Sequence, residues 1–192
     1  MPEGPAIMLL KQALKPFKGR RITAASGYAK NIHPGMLVDK VITGFKSWGK
    51  HLLILFKKFS VRVHMGLLCS YKINSHGKRN ASLQMKFGDD EVNFYISNIK
   101  VIEEPLNNVY DWSADIMSSH WDTHKALEKL KAKPERMICD ALLDQDIFAG
   151  SGNIIKNESL FIARIHPESL CGKIPPEKLE ELIEYLIQFS AD

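Results

Sequence analysis

The pattern of the 192 residues predicts an α+β fold, with a β-rich N-terminal part followed by a helical C-terminal part. Three observations carry this. Short β-rich runs follow one another between Arg20 and Ile102, separated by turn signals. The texture then breaks over residues 103–120, where Glu103-Glu104-Pro105, Asn107-Asn108 and Asp111-Trp112-Ser113-Ala114-Asp115 read as a loop and a bridge. Beyond the break apolar residues recur at helical spacing, most clearly Leu179, Leu182, Ile183, Leu186 and Ile187.

Element by element, the chain opens on Pro2-Glu3-Gly4-Pro5, two prolines and a glycine around one carboxylate. A short helix follows over Ala6–Leu14, with Ile7, Leu10 and Leu14 on one stripe, Met8 and Leu9 widening it, and Pro16 ending it. Strand-like runs come next at Leu37–Trp48, Lys50–Lys57, Ser60–Leu68, Cys69–Asn74, Ser82–Phe87 and Val92–Ile96. Turns at Pro34-Gly35, Lys57-Lys58, Ser75-His76-Gly77 and Gly88-Asp89-Asp90 punctuate this part. Close spacing of short strands argues for an antiparallel sandwich or barrel. Helices are predicted over Thr123–Lys133, Glu135–Gln145, Asn153–Ile165 and, after Pro175-Pro176, through Ser190. The expected division is a β domain over residues 1–104, a linker over 105–120 and a helical domain over 121–192.

Composition bounds the function. Apolar residues make up 45% and charged residues 25%, enough for a buried core in a water-soluble domain. A net charge of +4 and a pI near 8.9 are compatible with a polyanionic partner. Cys69, Cys139 and Cys171 are odd in number and never form a Cys-x-x-Cys pair, which argues against a disulfide scaffold and a zinc site. No apolar run approaches the roughly 18 residues that span a bilayer, and no signal-peptide core is present at the N-terminus. The expectation is a cytoplasmic protein without metal or cofactor.

Gly150-Ser151-Gly152-Asn153 sits between two helical patterns, where glycines allow a tight turn with backbone N–H groups at a helix start. Asn153 adds a side-chain donor, and Lys156 and Arg164 add positive charge; a plain helix–helix turn is the alternative. Continued through Asn157-Glu158 to His166-Pro167, this stretch resembles the helix-two-turn-helix motif of the formamidopyrimidine-DNA glycosylase / endonuclease VIII family. The opening Pro2-Glu3-Gly4-Pro5, the run Gly49-Lys50-His51-Leu52-Leu53 and the strand Asn93–Ile99 also resemble that family, in the same order. The resemblance implies a β-sandwich with a short N-terminal helix, followed by the helix-two-turn-helix domain.

It also implies a function: excision of oxidised bases from DNA with abasic-site lyase activity. Pro2 is the implied nucleophile once Met1 is removed. A terminal amine, with an ordinary pKa of about 7.7–8.0, is substantially neutral near pH 7–8, unlike a lysine near 10.4. Glu3 is the implied general acid/base and Lys50 the implied phosphate contact beside the lesion. Gly152, Asn153 and Lys156 would grip backbone phosphates, and Leu67, or failing that Met65, would fill the gap left by an extruded base. Gly4 leans the spelling towards endonuclease VIII, which favours oxidised pyrimidines. The implied partner is double-stranded DNA with damaged bases or abasic sites, bound by a monomer associated with a bacterial nucleoid.

Two departures bear on activity. Ala6 stands where the family usually carries a second Glu. The sequence stops at Gln188-Phe189-Ser190-Ala191-Asp192, whereas the family continues into a zinc finger or zincless equivalent that binds phosphate. The expectation is a trimmed form with weakened DNA affinity. A non-catalytic DNA-binding homologue is therefore the rival reading, and an RNA- or ribosome-associated protein a remoter one.

Overall fold

A computed structural model of the chain describes residues 2–191. The chain divides into two compact units. The first contains Pro2, Leu9–Ser47 and His51–Val109; the second gathers Glu3–Met8, Trp48–Lys50 and the chain from Tyr110 onward. Each is built around its own core.

The first unit holds eight antiparallel strands in two four-stranded sheets, β1 (Ala24–Ser26), β2 (Gly44–Trp48), β3 (His51–Leu55), β4 (Ser60–His64), β5 (Ser70–Ile73), β6 (Leu83–Phe87), β7 (Asp90–Tyr95) and β8 (Asn98–Ile102). One sheet runs β1-β6-β7-β5 and the other β2-β3-β4-β8, which makes the sandwich the sequence predicts. Period-2 alternation selects the inner faces. Leu52, Ile54, Val61, Val63 and Ile99 are buried in one sheet, and Leu83, Met85, Val92 and Phe94 in the other. β3 and β7 depart from alternation, because three successive residues of β3 and five of β7 are buried.

The long run Leu37–Trp48 does not form one strand. Pro34 starts a 3-10 turn through Leu37, and Asp39 takes a positive φ of 64°, so before β2 begins at Gly44 the run makes only an isolated antiparallel bridge from Val41 to Arg21. An Asp tolerates that left-handed geometry better than the β-branched residues around it.

Helix α1 (Gly4–Ala13) begins two residues before the predicted start at Ala6 and ends one before the predicted end at Leu14. A single turn, α2 (Leu106–Val109), precedes the second unit. That unit packs α3 (Thr123–Lys131), α4 (Ile138–Ala141), α5 (Asn153–Ala163) and α6 (Pro176–Ala191) around Leu130, Ile138, Leu142, Phe148, Leu182 and Leu186. Asp122 caps α3, its carboxylate accepting the Lys125 N–H at 3.1 Å. The apolar stripe of α6 is buried as its spacing requires, at Leu179, Leu182, Ile183 and Leu186.

The helix predicted over Glu135–Gln145 shrinks to the one turn of α4. Met137 is extended, and the amides of Ile138 and Cys139 bond to the carbonyls of Ser169 and Pro167 instead of to a preceding turn. Past Leu142, Asp144 takes the Asp146 N–H and pairs with Arg136, so side-chain bonds displace the helical ladder. Among the described residues no helix is long and apolar enough to cross a membrane.

Candidate active site

Glu3 ends as the N-terminal neighbour of α1, its carbonyl accepting the Ile7 N–H at 3.2 Å. The side chain is 8% exposed and turns to a different helix. Oε1 accepts the Ile154 N–H at 2.9 Å and Oε2 accepts the Ile155 N–H at 3.1 Å, in the first turn of α5. These amides are among the orphan donors of any helix start. The N-cap residue, Gly152, has no side chain to satisfy them, and a carboxylate from 151 residues away does so instead. The positive end of the helix dipole favours the same arrangement.

The two glycines of the turn serve this contact. A Cβ on Gly152 would lie 2.4 Å from the Glu3 carboxyl, so only glycine lets the carboxylate reach the helix. Gly150 adopts φ 102°, and its carbonyl accepts the Gly4 N–H at 2.9 Å, which fixes the backbone beside Glu3. Gln145 staples the turn from below. Its Oε1 accepts the Gly150 N–H at 3.0 Å, and its Nε2 donates to the Ser151 carbonyl at 3.1 Å.

Lys50 belongs to the same unit and is 7% exposed. Its segment is anchored by Trp48, whose Nε1 donates to the Asp111 carbonyl at 2.9 Å and whose ring sits 4.9 Å from that of Tyr110. Burial pushes the Lys50 ammonium below the ordinary lysine range, and the charge of Glu3 pulls it partly back. A carboxylate with both oxygens fixed and a desolvated lysine within its field are thus held together. Asn153 and Lys156 stand on the outer side of the α5 start, Lys156 Nζ donating to Asn153 Oδ1 at 3.2 Å, and beside them Ile154 is 62% exposed. The helix start read from the sequence as an anion site is therefore occupied by the chain's own Glu3; its exposed polar groups are side chains.

Residues 113–189 match the formamidopyrimidine-DNA glycosylase H2TH domain. Endonuclease 8-like 3 of Xenopus laevis is 32% identical over 161 residues, 77% of this chain and 26% of that protein. Endonuclease 8-like 2 of Mus musculus is 44% identical over 85 residues, 44% of this chain and 25% of that protein. The chain belongs to the formamidopyrimidine-DNA glycosylase / endonuclease VIII family.

It spans about a quarter of the length of the curated relatives it matches. The fold agrees with that membership. The Lactococcus lactis formamidopyrimidine-DNA glycosylase, solved non-covalently bound to DNA containing an abasic site, superposes with a TM-score of 0.86 at 21% identity, covering 98% of this chain and 80% of that one. A viral DNA glycosylase gives 0.85 at 20% identity over the same shares. The endonuclease 8-like relatives lie on the side of the family to which Gly4 pointed.

Within the sandwich unit of this family member, the two wedge candidates part company. Leu67 is 74% exposed on the β4–β5 turn, whereas Met65 is 3% exposed and presents no surface to a duplex. The turn is clasped by Cys69, whose Sγ accepts the Gly66 N–H at 2.9 Å and donates to the Ile96 carbonyl at 2.6 Å. The sequence marks Cys69 only as an unpaired cysteine, and nothing in its spacing announces the clasp. Gln145 was missed for the same reason: one amide in a helical pattern carries no local signal. Pro2 precedes Glu3 directly and is half-buried; Met1 and Asp192 lie outside the described residues.

His51 opens β3 in the sandwich unit. Its ring lies 5.0 Å from that of His64, and burial, then Arg62 and His64, lower its pKa to about 3. Against an unfolded value near 6.5, the unfolded chain binds the extra proton, so the stability present above pH 6.5 is lost progressively as pH falls towards 3. The limiting slope from one such group is about 1.4 kcal/mol per pH unit. His51→Phe is expected to flatten the urea-unfolding stability across that window, and an unchanged slope would show that other groups set it.

Proposed function

We propose that the chain carries the catalytic core of a DNA glycosylase with abasic-site lyase activity on oxidised bases, in which Pro2 is the nucleophile. The observation that carries this reading is Glu3, a buried carboxylate held through both oxygens at the α5 start, in direct chain continuity with Pro2. A proton carrier fixed beside a terminal secondary amine is what base excision through an iminium requires.

In this reading the Pro2 nitrogen attacks C1′ of the damaged nucleotide, the bond from C1′ to the base breaks with the base protonated from water, and Glu3 takes up the proton the amine releases. Glu3 delivers a proton to the sugar ring oxygen as the ring opens, leaving an iminium between Pro2 and C1′. Loss of a C2′ proton then expels the 3′ phosphate, and water releases Pro2. Lys50 neutralises charge developing on phosphate and sugar oxygens, and its desolvation strengthens that attraction. Asn153 and Lys156 hold the backbone near the α5 start, and Leu67 enters the gap left by the extruded base. Ala6 is exposed on α1 and takes no part in the hydrogen bonds of the Glu3 carboxylate, so its missing carboxylate leaves the nucleophile and proton carrier in place.

A duplex carrying one abasic site tests the proposal. Strand scission without alkali is expected from the chain with Pro2 at its terminus. Binding without scission, at protein excess, would favour the non-catalytic homologue instead.

A further inference from the structure

The outer face of β7 is polar yet buried. Glu91, Asn93 and Tyr95 alternate with the core residues Val92 and Phe94, and they are 7%, 0% and 5% exposed. Their cover is the β5–β6 connection, which folds back over its own sheet. Asn93 Nδ2 donates to the Ser75 carbonyl and to Glu91 Oε1, each at 2.9 Å. The Gly77 N–H donates to the Tyr95 hydroxyl at 2.7 Å, Lys72 Nζ donates to the His76 carbonyl at 3.0 Å, and His76 Nε2 lies 3.0 Å from Glu91 Oε1.

Between this connection, the end of β1 and the sheet lies a cavity of about 490 Å³, inside the range typical of small-ligand sites. Gln84, Asn93 and Tyr95 line it from the sheet, Tyr28 from the end of β1, and Lys78 and Arg79 from the connection. Two permanent cations line it and no carboxylate does. Glu91, close by, already has both oxygens engaged, Oε1 by Asn93 and Oε2 by Gln84 at 3.1 Å.

Asn93 supplies the most specific feature. Both partners of its Nδ2 are acceptors, which fixes the amide's orientation and puts Oδ1 on the other side. That oxygen has no hydrogen-bond partner among the described residues, on a side chain with 0% exposure. A buried acceptor left unmade is costly, and a donor that enters from the cavity as the side chains around Oδ1 shift recovers the bond. The lining thus asks for a negative group near Lys78 and Arg79, an N–H donor for Asn93 and a flat body among the tyrosines.

We propose that this cavity binds a nucleoside monophosphate unit, with its phosphate at Lys78 and Arg79 and an N–H of its base directed at Asn93 Oδ1. The unit is either a free nucleotide or an unpaired nucleotide of a DNA strand. The site shares no residue with the Glu3 site and stands independently of the chemistry proposed there.

Amide-resolved NMR titration of the whole chain with AMP, a 5′-phosphorylated dinucleotide and inorganic phosphate tests it. Saturable shifts are expected at Gly77–Ala81, Gln84 and the Asn93 side-chain amide, with none at Ile154 or Ile155. Lys78 and Arg79 are exposed, so the double variant Lys78→Glu/Arg79→Glu keeps the fold, and it should weaken nucleotide binding by about ten-fold or more. Tighter binding of the dinucleotide assigns the site to a strand, and equal or weaker binding assigns it to the free nucleotide. Unchanged affinity in the double variant, phosphate binding as tight as AMP, or no shifts at these residues would overturn the proposal.

Discussion

Glu3→Gln is expected to lower single-turnover base excision by about 10²–10⁴-fold, the usual worth of a positioned acid/base. The substitution nearly conserves volume but removes the proton carrier. It also changes the contact with α5. A carboxylate accepts both the Ile154 and Ile155 N–H groups, whereas an amide offers one oxygen and sets an NH₂ against the remaining donor. The loss of stability should be about 1–3 kcal/mol, so activity must be compared well below the unfolding transition. Full excision of a damaged base by Glu3→Gln would remove Glu3 from the mechanism.

Gly152→Ala is the second large effect, and it acts on the same carboxylate from the other side. The added methyl would sit 2.4 Å from both the carboxyl carbon and Oε1 of Glu3, and 2.7 Å from its Cγ. Either the Glu3 side chain leaves the α5 start or the turn shifts. Overpacking of this kind costs about 1–3 kcal/mol. Excision should fall nearly as far as in Glu3→Gln, although the substituted residue carries no chemistry. The two routes separate in a double-mutant cycle read by urea unfolding. In a Glu3→Ala background the space is vacated, and Gly152→Ala should cost little further stability. Additive losses would show that the glycine is needed for the turn alone.

Much of this was legible in the sequence because the signals are local. Helical spacing marked α1, α5 and α6, and β-rich runs between turns marked most of the sandwich. Where the signal was non-local, it failed. The helix expected over Glu135–Gln145 loses most of its length to carbonyls supplied by residues 167–169, and no window of sequence contains that competition. The turn Gly150–Asn153 was correctly read as a helix start with free donors, but its anion proved to be Glu3, 151 residues away. Period-2 alternation turns Glu91 and Asn93 away from the core face of β7, and only the folded β5–β6 connection buries them.

The pair Pro2-Glu3 was visible only through resemblance; a terminal carboxylate has no pattern of its own. The structure supplies what the resemblance lacked, a physical reason for the spelling that follows it. A Cβ on Gly4 would lie 2.9 Å from Met117 Cγ and 3.4 Å from the Gly150 Cα, so glycine lets the opening segment lie against the turn, where its N–H donates to the Gly150 carbonyl at 2.9 Å.

The central claim is that Pro2 attacks the sugar, and borohydride trapping tests it most directly. The chain, its Met1 removed and this confirmed by mass spectrometry, is incubated with abasic-site duplex and sodium borohydride, and the adduct is mapped by peptide sequencing. The account predicts a covalent adduct on the N-terminal peptide at the Pro2 nitrogen, absent from a chain that keeps Met1. A trapped adduct on any lysine with Pro2 unmodified, or no adduct under saturating DNA, would contradict it.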